Sequence, residues 1–261
     1  NLRLLSTTRP SGDFLGATNS DLSFTGSYAI QGSYNGYQVW DISNPARPTL
    51  KTADLCPASQ SDVSVYRNLL FVSGEGLGGR LDCGTQGVRD TVSVDRLRGI
   101  RIFDISDIAA PKYIGNVQTC RGSHTHTVVE DPNDHDNVYL YVSGSAGVRS
   151  PSELPGCSSL APDQDPNSAL FRIEVIRVPL AHPEQARIVS SPRIFNNLVE
   201  APTHAEAPAD VAAAARAVAA ARAAGGFTAV VHGREMVLSP GFIDPMLDSI
   251  VQARHGTGAP T

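Results

Sequence analysis

One segment of the chain returns 63 residues later. Tyr37-Gln38-Val39-Trp40-Asp41-Ile42-Ser43-Asn44-Pro45-Ala46-Arg47-Pro48 lies over Arg101-Ile102-Phe103-Asp104-Ile105-Ser106-Asp107-Ile108-Ala109-Ala110-Pro111, with Asp41 above Asp104 and Pro48 above Pro111. A weaker third copy is Ile173-Glu174-Val175-Ile176-Arg177-Val178-Pro179-Leu180-Ala181-His182-Pro183, one residue shorter. Upstream of each copy lies a second matching strand: Tyr28 to Gly32, Leu70 to Gly74 and Leu140 to Gly144. Upstream again is a third: Ser20 to Phe24, Ser61 to Val65 and His124 to Val128. A fourth follows the proline, as in Pro48 to Thr52 and Lys112 to Val117. Each unit reads as four short strands, built from alternating apolar and β-branched residues and closed by Asn-Pro and Ser-Gly turns. A four-stranded unit repeated along a chain predicts the blades of an all-β propeller, because one blade cannot bury its own faces. The competing reading is a β-sandwich, and three co-linear matches per unit argue against it.

The composition suits such a chain. With 41% hydrophobic and 18% charged residues, 261 residues can bury a core. The net charge of −5, without a basic cluster, argues against a nucleic-acid partner. No apolar run reaches the roughly 20 residues of a membrane helix. Cys56, Cys83, Cys120 and Cys157 form no CxxC pair and lie in loop-like stretches. Two disulfides and an oxidising compartment are expected, the alternative being four free thiols. Cys56 and Cys120 precede the inner strands of the second and third units, and Cys83 and Cys157 follow their second strands. In an up-and-down blade both positions lie on one rim, which predicts Cys56–Cys83 and Cys120–Cys157.

The segments VWDISNPARPTL and IFDISDIAAPKYI resemble LVIVD repeats, which occur in bacterial extracytoplasmic β-propeller proteins. The likeness covers roughly residues 20 to 190. It implies a propeller fold and a periplasmic, secreted or cell-surface location, and it implies no particular reaction.

The chain divides into 1–190, holding about three blades, and 191–261. Leu2 to Thr8 read as the closing outer strand of a further blade. Propellers close with four to eight blades, so more blades, from the same chain or a partner, are expected to complete the ring. In the second segment Ala207 to Ala224 reads as a helix, with Pro208 in its first turn, Asp210 at its positive end and Gly225-Gly226 as its stop. Nearly all Ala, it is either a lightly packed, solvated insertion or a flat face for another helix. Thr228 to Leu238 reads as a hairpin and Asp244 to Arg254 as an amphipathic helix, the whole a small α-helical C-terminal excursion.

His124 and His126, two apart on an inner strand, are expected on one face. They stand where the first two units carry Ser20-Asp21 and Ser61-Asp62, so these six residues form a candidate binding site at the channel mouth. A histidine pair there could hold a metal ion, although a third ligand is missing. Asp131-Pro132-Asn133-Asp134-His135-Asp136 alternates oxygen ligands as calcium loops do, yet a polar turn is the simpler reading. Gly74 to Gly79 follows a strand without a helix after it, and no Gly-Lys-Ser/Thr, GxSxG or HExxH motif occurs. Asp41 and Asp104 recur with the repeat, which marks a turn role. The function expected is a non-enzymatic extracytoplasmic module for protein binding or scaffolding, without a cofactor, with a protein partner for which a membrane-attached complex is one setting. The alternative is a metal-dependent enzyme built around His124 and His126.

Overall fold

The computed structural model describes residues 2–170, 172–193, 207–231 and 234–238. The chain forms two compact units, Asn1–Asn197 and Leu198–Thr261. In the first, twelve strands make three four-stranded antiparallel sheets, each in simple sequence order. Blade one holds β1 (Asn19–Thr25), β2 (Tyr28–Ser33), β3 (Gly36–Asp41) and β4 (Thr49–Leu55). Blade two holds β5 (Val63–Tyr66), β6 (Leu69–Gly74), β7 (Gly99–Asp104) and β8 (Lys112–Gln118). Blade three holds β9 (Thr125–Asp131), β10 (Asp134–Ser143), β11 (Glu174–Pro179) and β12 (Arg187–Ser190). This is the propeller-type architecture that the repeat implies, with its ring not closed. Leu2 to Thr8 pair with no strand among the described residues.

The core lies between blades. Ile30, Tyr37 and Val39 of blade one meet Val63, Leu70, Val72 and Phe103 of blade two. On the other face of blade two, Leu69, Phe71, Ile100 and Ile102 meet Val138, Leu140, Val142, Ile176 and Val178 of blade three. Every residue of β6 is therefore buried, odd positions against one neighbour and even positions against the other. This explains why Leu69-Leu70-Phe71-Val72 is continuously apolar where a one-sided strand would alternate.

Strand pairing corrects the repeat alignment. Tyr28 lies opposite Asp41 and Leu69 opposite Asp104. Tyr28 thus corresponds to Leu69, and the expected match to Leu70 is one residue out of register. In a strand such a slip exchanges the two faces. The signal that holds register is the glycine that opens the third strand. Gly36 and Gly99 have φ of +136° and +151°, and a Cβ on either would come within 2.0 Å of a carbonyl oxygen, that of Asp54 or Val117.

The turn after each third strand is built from side chains. The Asp41 and Asp104 carboxylates accept the backbone N–H groups of Ser43 and Ser106 at 2.9 and 2.8 Å. The Ser43 N–H holds the Asp41 carboxyl, and the Ser106 hydroxyl at 2.6 Å together with the Ser106 N–H holds that of Asp104, below the usual carboxylate range. Asn133 N–H bonds to Asp131, and Asp134 accepts Tyr139 Oη at 2.6 Å, so the alternating-oxygen segment is the β9–β10 turn.

In the second unit, α1 (Pro208–Ala223) starts with Pro in its first turn and stops at Gly225, φ +70°, with Gly226 N–H on the Ala221 carbonyl at 2.7 Å. None of its residues is buried. β13 (Thr228–Val231) and β14 (Arg234–Val237) form the expected hairpin, and Glu235 bonds to both Arg222 and Thr228. The helix expected over Asp244 to Arg254 lies outside the described residues.

Candidate functional site: a double-loop rim

The inner-strand residues join blades to one another. Asp21 accepts the backbone N–H of Val63 at 3.1 Å, and Asp62 accepts that of His126 at 3.1 Å. Val63 and His126 are equivalent positions, opposite Val72 and Val142. Each aspartate therefore latches its blade to the next. Ser20 Oγ donates to the Gln60 carbonyl, and Gln60 Nε2 donates to that of His124 at 3.2 Å, which continues the chain across all three blades. Ser61 is buried, with φ +52°.

The two histidines separate. His124 precedes β9, is half exposed, and places Nδ1 2.5 Å from Glu75, which also accepts Ser145 Oγ. His126 has a fully buried side chain, with Nδ1 2.9 Å from Ser73 Oγ and 3.1 Å from Asp62. Its Nε2 is buried without a partner. The shared histidine face expected from the sequence is not formed, because the strand begins only at Thr125 and His126 turns into the seam between blades two and three. Among the described residues, no three His, Cys, Asp or Glu side chains converge on a point where a metal ion could sit. The His126 contacts keep the Asp62 carboxyl below its ordinary range although burial opposes ionisation. Replacing Asp62 by Ala removes the acceptor of the His126 backbone N–H and leaves Nδ1 with Ser73 alone, and the expected loss is about 1–3 kcal/mol in denaturant unfolding. A loss below about 0.5 kcal/mol would mean that the latch is not a stabilising contact.

The larger construction lies in the two insertions, residues 75–98 and 144–173, that follow β6 and β10. Each is tied down by a disulfide, Cys56–Cys83 and Cys120–Cys157, with Cα atoms 4.4 and 5.3 Å apart. This is the pairing read from the repeat. Arg101, fully buried in the middle of β7, donates to the carbonyls of Cys56 at 2.9 Å and Arg80 at 2.7 Å, and so clamps both sides of the first disulfide loop. Burial pushes its guanidinium down to about 10. Nothing in the repeat marked it: position 101 falls where a strand residue should be apolar, and a charged residue there was the available sign.

The insertions are also bound to each other. Glu153 of the second, its side chain 2% exposed, pairs with Arg96 of the first and with Arg149, 2.9 Å away. It accepts the Ser93 N–H as well, at 3.1 Å. Arg96 further donates to the Leu77, Thr91 and Asp90 carbonyls, and Arg149 to the Arg96 carbonyl and to Gln118. Arg98 reaches the Gly147 carbonyl at 2.6 Å. A buried carboxylate between two guanidiniums, each satisfied by main-chain acceptors, fixes both loops in one arrangement. These loops also leave large apolar side chains in solvent: Leu77 is 67% exposed, Val94 69% and Leu160 53%, with Val92 beside them in sequence at 44%.

Three repeats of one four-stranded antiparallel sheet, packed face against face and carrying disulfide-pinned loops, define a β-propeller-type repeat protein. Within it, residues 17–53 match the family model described as LVIVD repeat. That stretch covers β1 to β3 and most of β4, so blade one carries an LVIVD repeat, and blades two and three repeat its strand plan. No curated protein matches the chain.

Proposed function

We propose that the chain is a non-enzymatic, periplasmic or extracellular protein-binding subunit, and that the double-loop rim is its docking surface. The observation that carries this reading is the joint rigidity and exposure of the rim. Two disulfides and the Arg96–Glu153–Arg149 network hold the loops, while Leu77, Val92, Val94 and Leu160 face solvent. Apolar side chains held in water on ordered loops are a cost to an isolated protein and an asset to a complex, since little ordering entropy remains to be lost on binding. The disulfides support an oxidising compartment. Among the described residues no helix is long and apolar enough to cross a membrane.

The test is cross-linked capture from the native source, with the wild-type chain and a Val92→Glu/Val94→Glu variant as baits. A stoichiometric partner held by the wild type and reduced about ten-fold or more in the variant, a change of roughly 1.4 kcal/mol, supports the rim. No specific partner, or equal capture by a variant that melts at the wild-type temperature, overturns it.

A further inference from the structure

Four arginines gather where the two insertions meet blade two, and one of them is bonded unlike the rest. Arg96 and Arg149 place every guanidinium nitrogen on an acceptor: Arg96 on Glu153 and the Leu77, Thr91 and Asp90 carbonyls, Arg149 on Glu153, Gln118 and the Arg96 carbonyl. Arg121 donates from Nε to the Ala146 carbonyl at 2.8 Å and from Nη2 to that of Ser145 at 3.0 Å. The guanidinium of Arg98, a residue 3% exposed, makes one hydrogen bond among the described residues, from Nη2 to the Gly147 carbonyl at 2.6 Å. Its Nε is buried without a partner. Among the described residues it forms no ion pair with a carboxylate.

The strand register puts a second unpartnered group beside it. Gly99 lies opposite Gln118, so the next pair outward is Arg98 and Thr119, and the Thr119 N–H donates to the Arg98 carbonyl at 2.9 Å. Directly opposite residues on antiparallel strands hold their Cβ atoms about 5 Å apart on one face. Thr119 is 1% exposed, and its Oγ1 is buried without a partner. Gly147, the acceptor for Arg98, is held against the same segment, since the Arg149 N–H donates to the Cys120 carbonyl at 2.9 Å and Arg121 reaches Ala146. The charges there do not balance. Glu153 is occupied on both oxygens by Arg96, Arg149 and the Ser93 N–H, and Glu75 by His124 and Ser145. Burial first, and the charge of Arg149 next, hold the Arg98 guanidinium below its ordinary value against the attraction of Glu153 and Glu75. A water molecule can accept from Nε but brings no charge, and a buried cation stays costly until a counter-ion joins it.

We infer that Arg98 and Thr119 form a binding site for a small monovalent anion of the halide class, which accepts from Arg98 Nε and the Thr119 hydroxyl and neutralises the unpaired guanidinium. Both residues are buried, so a carboxylate carried by a macromolecule would have to displace the insertions to reach them, whereas a single ion need not. Arg98 closes the first insertion and holds Gly147 of the second, so the ion sits at the joint between them and fastens both. The site is made of buried groups and the docking surface of exposed ones, and neither reading depends on the other.

The test is the thermal unfolding of the whole 261-residue chain in sodium chloride, sodium bromide and sodium gluconate at equal ionic strength. Chloride and bromide at about ten times their dissociation constant are expected to raise the melting temperature over gluconate by about 3–6 °C. Crystals grown in bromide are expected to show an anomalous peak between Arg98 and Thr119. Thr119→Val removes a hydroxyl that bonds to nothing in the protein, so it should leave melting in gluconate within about 1 °C while raising the halide concentration needed at least about ten-fold. Arg98→Met removes the charge and should abolish the halide dependence. Equal melting in the three salts overturns the proposal. So does halide stabilisation undiminished in Thr119→Val, which would be a general salt effect, or a bromide peak at the site without any shift in melting, an adventitious ion only.

Discussion

Glu153→Ala is expected to lower the unfolding free energy by about 3–5 kcal/mol, because it leaves two buried guanidiniums facing each other without their shared carboxylate. Arg96 and Arg149 side chains are 4% and 1% exposed, so water cannot replace the lost charge. Glu153→Gln keeps one oxygen acceptor and should cost less. Denaturant unfolding under non-reducing conditions reads both, and an alanine loss below about 1 kcal/mol would show that the carbonyl contacts of the arginines hold the loops unaided. The effect depends on pH in a defined direction. Burial opposes ionisation of Glu153, but the Ser93 N–H and the two arginines outweigh it and hold the carboxyl below its usual 4.5. Its contribution is complete above the unfolded value and is lost as pH falls through the lower folded one. The gap between wild type and Glu153→Ala should therefore be constant near neutrality and narrow below about pH 4.5.

Removing Cys120–Cys157 by a double alanine substitution should cost about 2–4 kcal/mol, since the bond closes a loop between residues 37 apart. The bond also anchors a small cluster of Cys120, Cys157 and Ala169, and Arg172 donates to Cys120 Sγ at 2.9 Å. Loss of the bond should therefore loosen the second insertion before the blades, seen as faster amide exchange over 144–173 with β10 and β11 still protected. Unchanged stability and exchange would show that Glu153 and its arginines are sufficient. Non-reducing peptide mapping of the native chain checks the pairing itself, and a Cys83–Cys120 peptide would contradict it.

The strands and the turns were legible because their causes are local. The Asp-x-Ser bend is formed by a carboxylate two residues from the N–H it accepts, and alternation along a strand is a period of two. The disulfides were legible because the repeat supplies a coordinate that spacing alone does not. The register of the second strand was misread, since Leu69 to Val72 are all apolar and such a run carries no phase.

What the amino-acid order determined by itself is the blade: four strands, their turns, and the rim to which each cysteine goes. The tertiary structure alone decided what the blades' polar residues do. Asp21 and Asp62 read as channel groups and act as latches on the next blade, His126 reads as a ligand and is buried in a seam, and Arg101 reads as an anomaly and clamps a loop. Each of these roles depends on partners tens of residues away, brought close only when blades stack, and no period or spacing within one repeat encodes a contact made between two.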